Sequence, residues 1–234
     1  MLDIKHLKVS VNDKKIIDDL HLSVKPGTMH VIMGKNGDGK TTLAHAIAGN
    51  PKYEVGGFMY LNNESLNEMS ITDRAKKGIF LTFQQPVEIL GVSNFSVIKE
   101  ALQVEDSREL LKEFKVVAES LGLPKDWASR SLNYNASGGE KKKNEMLQLM
   151  MLKPKVAILD EIDSGLDVDT IKIISEKIAE MKKAGTAFIV ISHYLEFIKS
   201  INPDYVHVIK NGSIFRTGGV ELANTITEKG FDYV

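Results

Sequence analysis

Gly34-Lys35-Asn36-Gly37-Asp38-Gly39-Lys40-Thr41 is the stretch on which the fold turns. It fits the pattern G-x-x-x-x-G-K-[ST], and its flanks are the ones that pattern needs. Met29 to Met33 ahead of it is a continuous apolar run, which reads as a buried parallel strand. Thr41 to Ala48 behind it suits a helix, stopped by Gly49-Asn50-Pro51. Glycines let such a loop curl until successive N–H groups point inward at phosphate oxygens, and the helix N-terminus adds positive potential. The expected nucleotide-binding stretch is therefore Gly34, Lys35, Asn36, Gly37, Asp38, Gly39, Lys40, Thr41 and Thr42, with Lys40 as a point charge on the outer phosphates and the Thr41 hydroxyl as a Mg²⁺ ligand. Asp38 should repel phosphate unless its carboxylate turns to solvent or to a cation.

Further along, Val156-Ala157-Ile158-Leu159-Asp160-Glu161 is an apolar strand ending in two acids, and strand ends near a phosphate loop are where an α/β sheet binds ligands. Two acids suit two roles: Asp160 holding Mg²⁺, and Glu161 orienting and deprotonating a water for in-line attack on a γ-phosphate. Gln84 follows the apolar run Ile79 to Phe83 and can reach Mg²⁺ or the attacking water. His193 follows Ala187 to Ile191 and can hydrogen-bond the γ-phosphate.

Around these residues the chain divides by pattern. The first 34 residues alternate short apolar runs with turn chemistry at Asn12-Asp13 and Pro26-Gly27, as antiparallel strands do, and Tyr53 to Asn62 reads as a further strand. From about Val97 to Leu152 the period becomes helical, with Leu110, Leu111, Phe114, Val117, Ala118 and Leu121 on one face. A helix over Asp169 to Lys183 between strands at Val156 and Ala187 restores a β-α-β rhythm, and Tyr205 to Arg216 returns to short strands around Asn211-Gly212. The expected organisation is one domain over 1–234, with 1–84 and 154–234 as an α/β core and about 85–153 as a helical subdomain. Lys141-Lys142-Lys143 is either a solvated face or an attraction for nucleotide or a partner's acidic region, Met146, Met150 and Met151 read as core fillers, and Trp127 is either packing or a partner contact.

Composition narrows the function classes. The 234 residues carry 30 Lys+Arg against 31 Asp+Glu, so no global basic field draws the chain onto nucleic acid or anionic lipid. With no cysteine, disulfides, thiolate-ligated zinc and a resident iron–sulfur cluster on its own thiolates are excluded. No apolar run approaches the roughly 18 residues of a membrane span. A soluble protein of cytoplasm or organelle stroma is expected.

Asn135-Ala136-Ser137-Gly138-Gly139-Glu140 opens a helix and offers a second anion site from backbone N–H groups. With the phosphate loop, Gln84, Asp160-Glu161, Ser164-Gly165-Leu166-Asp167 and His193 in this order, the chain resembles the nucleotide-binding domain of the ABC ATPases over nearly its whole length. The resemblance implies a mixed-sheet P-loop core with an antiparallel β subdomain and an inserted helical subdomain. It also implies that two copies sandwich two ATP molecules, the phosphate loop of one facing Ser137, Gly138 and Gly139 of the other, with the Asp167 loop signalling between sites. Finer stretches, above all Gln84 to Asn94, are most similar to the ATPase of the SUF iron–sulfur assembly system. That likeness implies scaffold partners of the SufB and SufD type, remodelled by ATP-driven dimerisation. The alternative is the ATPase subunit of a membrane ABC transporter, and a third reading is a slow ATP-dependent interaction switch. Lys35 and Asp38 replace the family's usual Pro and Ser, Ala136 a larger apolar residue, and no aromatic lies near Val11. Since base stacking is worth about 1–3 kcal/mol, ATP affinity should be modest.

Overall fold

The computed structural model describes residues 1–233. Its elements in chain order are β1 (Leu2–Val11), β2 (Lys14–Val24), β3 (Met29–Met33), α1 (Lys40–Ala48), β4 (Glu54–Leu61), β5 (Glu64–Ser65), α2 (Ile71–Lys77), β6 (Ile79–Leu81), β7 (Ile89–Ser93) and α3 (Asn94–Leu102). They continue as α4 (Arg108–Ser120), β8 (Ser131–Leu132), α5 (Gly138–Leu152), β9 (Val156–Asp160), α6 (Val168–Lys183), β10 (Ala187–Ile191), α7 (Leu195–Ser200), β11 (Tyr205–Lys210), β12 (Ser213–Gly218) and α8 (Val220–Lys229).

Two sheets carry the core. A six-stranded sheet in the order β12-β11-β3-β10-β9-β6 is parallel except for its edge strand β12, and a four-stranded antiparallel sheet runs β2-β1-β4-β5. The central strands are buried on both faces, as crossover-connected parallel strands must be. Because side chains alternate along a strand, Met29, Val31, Met33, Ala157, Leu159, Phe188 and Val190 feed one hydrophobic cluster, under the helices. Ile32, Ile158, Ile189 and Ile191 feed the other, against α1 and the antiparallel sheet. The result is the mixed α/β fold expected, and it sets the C-terminal ends of β3, β9 and β10 around the phosphate loop.

Two readings of local structure need correction. The strand expected to run to Phe83 ends at Leu81. Thr82 donates its backbone N–H to Ile158 and its hydroxyl accepts from the Asp160 N–H, while the Phe83 N–H is taken by Glu145 at 2.7 Å, so side chains displace the ladder there. The helical stretch of 97–152 is three helices, beginning at Asn94, with β8 and a turn-rich segment before α5. That segment is held by a buried polar network. Trp127 Nε1 donates to Asn144 Oδ1, Asn144 Nδ2 donates to both Asn94 Oδ1 and Asn133 Oδ1, and Asn94 Nδ2 returns to the Trp127 carbonyl. All four residues are buried, so Trp127 is a packing residue.

Candidate active site

The phosphate loop joins β3 to α1. Gly39, the residue before the helix, has φ 102°, a conformation that a side chain would strain, and its backbone turns the loop into the helix start. Lys40 is buried and curls back, donating to the carbonyls of Gly34 at 2.8 Å and Lys35 at 3.0 Å. Burial lowers its pKa, opposed by the charges of Asp38, Glu161 and Asp160 around it. Asp38 is half-buried, and its carboxylate accepts from the backbone N–H of Lys35 at 2.7 Å and of Asn211 at 3.3 Å. It therefore pins the loop to the β11–β12 turn.

Asn36, Gly37, Asp38, Gly39, Lys40, Thr41 and Thr42 line one groove of about 590 Å³ together with Gln84 and Glu161. Gly34 and Lys35 lie outside its lining. Gln84 Nε2 donates to the Thr41 hydroxyl at 3.3 Å. Asp160 lies behind Thr41, 2% exposed, with Oδ1 lacking any partner among the described residues. Burial raises the Asp160 pKa, with Thr41 and Lys40 opposing and Glu161 adding to the rise. A buried carboxylate oxygen without a partner, a hydroxyl and an amide, all oxygen-bearing and adjacent, make a donor set that suits Mg²⁺.

Glu161 adopts φ 53°, in the left-handed region, and its N–H donates to the Ile191 carbonyl at 3.0 Å. Such a conformation is costly for a glutamate and is commonest where a site requires it. Glu161 is shared between the groove and an adjoining cleft of about 480 Å³, where His193 sits with Asp163, Ser164, Gly165 and Tyr194. Burial lowers the His193 pKa, Lys40 adding to the fall and Glu161 opposing it.

The remaining expected residues stand apart within one chain. Ser137 caps α5 in a reciprocal box: its hydroxyl accepts from the Glu140 N–H and the Glu140 carboxylate accepts from the Ser137 N–H and hydroxyl. Those hydrogen bonds hold the Glu140 carboxyl below its usual range, so an anion sits at this helix start. Gly138 is exposed and Gly139 half-buried, with nothing within 4 Å of a Cβ added at either. Asp167 caps α6 through Thr170 at 2.7 Å.

Several residues at the site carried no readable signal. Lys15, Ile16 and Gly212 line the groove and are brought there by the β1–β2 and β11–β12 hairpins. No aromatic side chain is among the groove's lining residues. Buried Lys142 and Glu145, 3.3 Å apart, clamp the carbonyl and N–H of Phe83 beside Gln84; their i,i+3 spacing on a helix was the one available hint. Asp163 accepts from Ser192 at 2.9 Å, and the same hydroxyl accepts from the Tyr194 N–H, bracing the turn that carries His193.

A phosphate loop at the end of a parallel strand, faced by an Asp-Glu strand end, defines the class of P-loop nucleotide hydrolases. Residues 17–164 match the family described as ABC transporter. The chain is 42% identical over 244 aligned positions to the "Probable ATP-dependent transporter SufC" of Escherichia coli (strain K12), covering 100% of this chain and 98% of that one. It is also 42% identical over 241 positions to "Vegetative protein 296" of Bacillus subtilis (strain 168), covering 100% and 92%. Among solved structures, a nucleotide-free ATP-binding cassette from an ABC transporter superposes with TM-score 0.82 at 23% identity, covering 100% and 98%. An ATP-binding cassette of an ABC transporter in its ADP conformation gives 0.79 at 25% identity, covering 98% and 95%. The chain belongs to the ABC ATPase family, and it is an ATPase.

Proposed function

We propose that the chain is the ATP-hydrolysing motor of an iron–sulfur assembly complex of SUF type, working in cytoplasm or stroma on scaffold partners of the SufB and SufD kind. The single observation that carries the hydrolytic part is the convergence of Lys40, Thr41, Gln84 and Glu161 on one groove, with Asp160 behind them. The assembly part rests on the likeness of the stretch Gln84 to Asn94 and on 42% identity to a relative named SufC. Phe83, Val87 and Leu90 in and beside that stretch are exposed, Leu90 at 71%, apolar side chains suited to a protein partner.

In this reading ATP lies along the groove, with the loop N–H groups on its phosphates and the base against Ile16 and the stems of Lys14 and Lys15. Lys40 exchanges its two carbonyl partners for the outer phosphates. Thr41, Gln84 and Asp160 would hold Mg²⁺, which supplies neutralisation of phosphate charge when bound. Glu161 takes the proton of the attacking water, and His193 donates a hydrogen bond to the γ-phosphate. Ser137, Gly138, Gly139 and Asp167 act on the groove of a second copy, which is why they lie outside the groove of their own chain. We assign 1–84 and 154–234 to the catalytic core and about 85–153 to a helical subdomain that moves with the signature helix α5.

A second reading, the ATPase subunit of a membrane transporter, is favoured by the words "ATP-dependent transporter" in the relatives' names. Detergent-free affinity capture from the native cells, with MgATP hydrolysis assayed on the eluate, separates the two. Soluble scaffold proteins that stimulate turnover are expected; recovery only from solubilised membranes would establish the transporter reading.

A further inference from the structure

Away from the ATP groove, the solvent face of the β1–β2 ribbon carries His6, Asp19 and His21. His6 Nδ1 lies 2.7 Å from Asp19 Oδ1, and His21 Nε2 lies 3.3 Å from the same oxygen. The two imidazoles meet edge to face with centroids 4.3 Å apart, and one ligand atom from each of the three side chains can be chosen so that all lie within 4.8 Å.

The backbone brings these residues together by two bulges. Between the pairs Ile4↔Leu22 and Leu7↔Leu20, two residues of β1 oppose His21 alone; between Leu7↔Leu20 and Val9↔Ile17, Asp18 and Asp19 of β2 oppose Lys8 alone. The extra residues His6 and Asp19 both adopt left-handed backbone, φ 51° and φ 56°. Each bulge slips the core-facing phase by one, so Ile4, Leu7, Leu20 and Leu22 stay buried while His6, Asp19 and His21 share the outer face. The neighbouring strand accommodates the first bulge with Gly57, φ 88°, where a Cβ would lie 2.2 Å from the His6 carbonyl. Three strands are thus shaped around this cluster.

We propose that His6, Asp19 and His21 form a binding site for a borderline divalent transition-metal ion of the Zn²⁺ type. Two imidazoles and a carboxylate are the donor set such ions select, whereas Mg²⁺ and Ca²⁺ prefer oxygen alone. Metal–ligand bonds of about 2.0–2.2 Å place neighbouring ligand atoms about 3.0–3.5 Å apart; the 3.3 Å between His21 Nε2 and Asp19 Oδ1 matches such an edge, and the 2.7 Å between His6 Nδ1 and Asp19 Oδ1 widens to one by a small rotation of the exposed ring. The widest separation closes by rotation of the exposed imidazoles. The ion would tie β1 to β2, the strand that also supplies Ile16 to the nucleotide groove.

Zn²⁺ titrated into the tag-free full-length chain, stripped of metal by chelation and saturated with MgADP to fill the nucleotide groove, tests the proposal. One Zn²⁺ per chain is expected, with a rise in melting temperature. His6→Asn, which keeps a residue tolerant of left-handed backbone, and His21→Gln should each weaken binding by about tenfold or more. Far-ultraviolet circular dichroism and unchanged MgATP turnover without zinc establish that the variants fold. Absence of Zn²⁺ binding, or binding that survives both substitutions undiminished, overturns it.

Discussion

Glu161 combines two features that are hard to reconcile with a merely solvated strand end: a left-handed backbone and a place shared by the groove and the cleft that holds His193. Replacing it with Gln keeps the shape and removes the base, so turnover should fall about 10²- to 10⁴-fold while ATP still binds and traps dimers. Single-turnover kinetics with sedimentation in MgATP measures both, and wild-type turnover would remove Glu161 from its role. Glu140 gives the opposite sign. Its carboxylate sits at the helix start proposed to face the γ-phosphate of a second copy, so Glu140→Gln should tighten ATP-dependent dimerisation several-fold, since like charge there costs on the order of 1 kcal/mol. A weaker dimer in Glu140→Gln would place the phosphate elsewhere. The groove's wall of Ile16 and lysine stems predicts modest ATP affinity, and tight binding in calorimetry would contradict it. At this scale the positions of the phosphate loop, Gln84, Asp160, Glu161 and His193 at or just beyond strand ends could be read, because short apolar runs mark the strands before them. Asp38 could not: whether a carboxylate repels phosphate or caps the loop depends on Asn211, far away in the chain.

Among the elements, α5 matters most, because it begins with Ser137-Gly138-Gly139 and is fastened at its first turns. The Asn144 amide answers Trp127, Asn94 and Asn133, each buried, so Asn144→Ala leaves three polar groups without partners. A loss of about 3 kcal/mol or more follows, at about 1–3 kcal/mol per orphaned group. Urea denaturation measures it, and a loss under about 1 kcal/mol would mean that the network is not a fastening. The helical period of α4 and the apolar runs of β3, β9 and β10 were legible because burial patterns repeat locally. The end of β6 was not, since Glu145 of α5 takes the N–H that would have continued the ladder.

For the whole molecule, the seam between β3 and β11 sets the response to acid. His30 Nδ1 and His207 Nε2 lie 2.9 Å apart, flanked by Thr28 and Thr217, with both rings buried. Burial pushes each pKa down to about 4, although Asp204 opposes the fall at His30. The unfolded chain takes up these protons from about pH 6.5 downward and the folded chain only near pH 4, so stability falls as pH drops between those values. Burial raises the pKa of Asp160, Asp163 and Glu145, and these groups act with the opposite sign from about pH 4 upward. Denaturant midpoints at pH 7 and pH 5 should therefore differ less in His207→Gln than in the wild type, and an equal difference would acquit the pair. What the chain carries by itself is the class of fold and the chemistry of the phosphate site, because hydrophobic period and glycine-rich turns act over a few residues. Only the tertiary structure decided which polar groups meet: His30 with His207, Asp38 with Asn211, Glu145 with Phe83, His6 and His21 on one carboxylate. Apart from His21, which is two residues from Asp19, those partners are 13 to 177 residues apart, and no local pattern encodes a contact whose energy exists only once the sheets have packed.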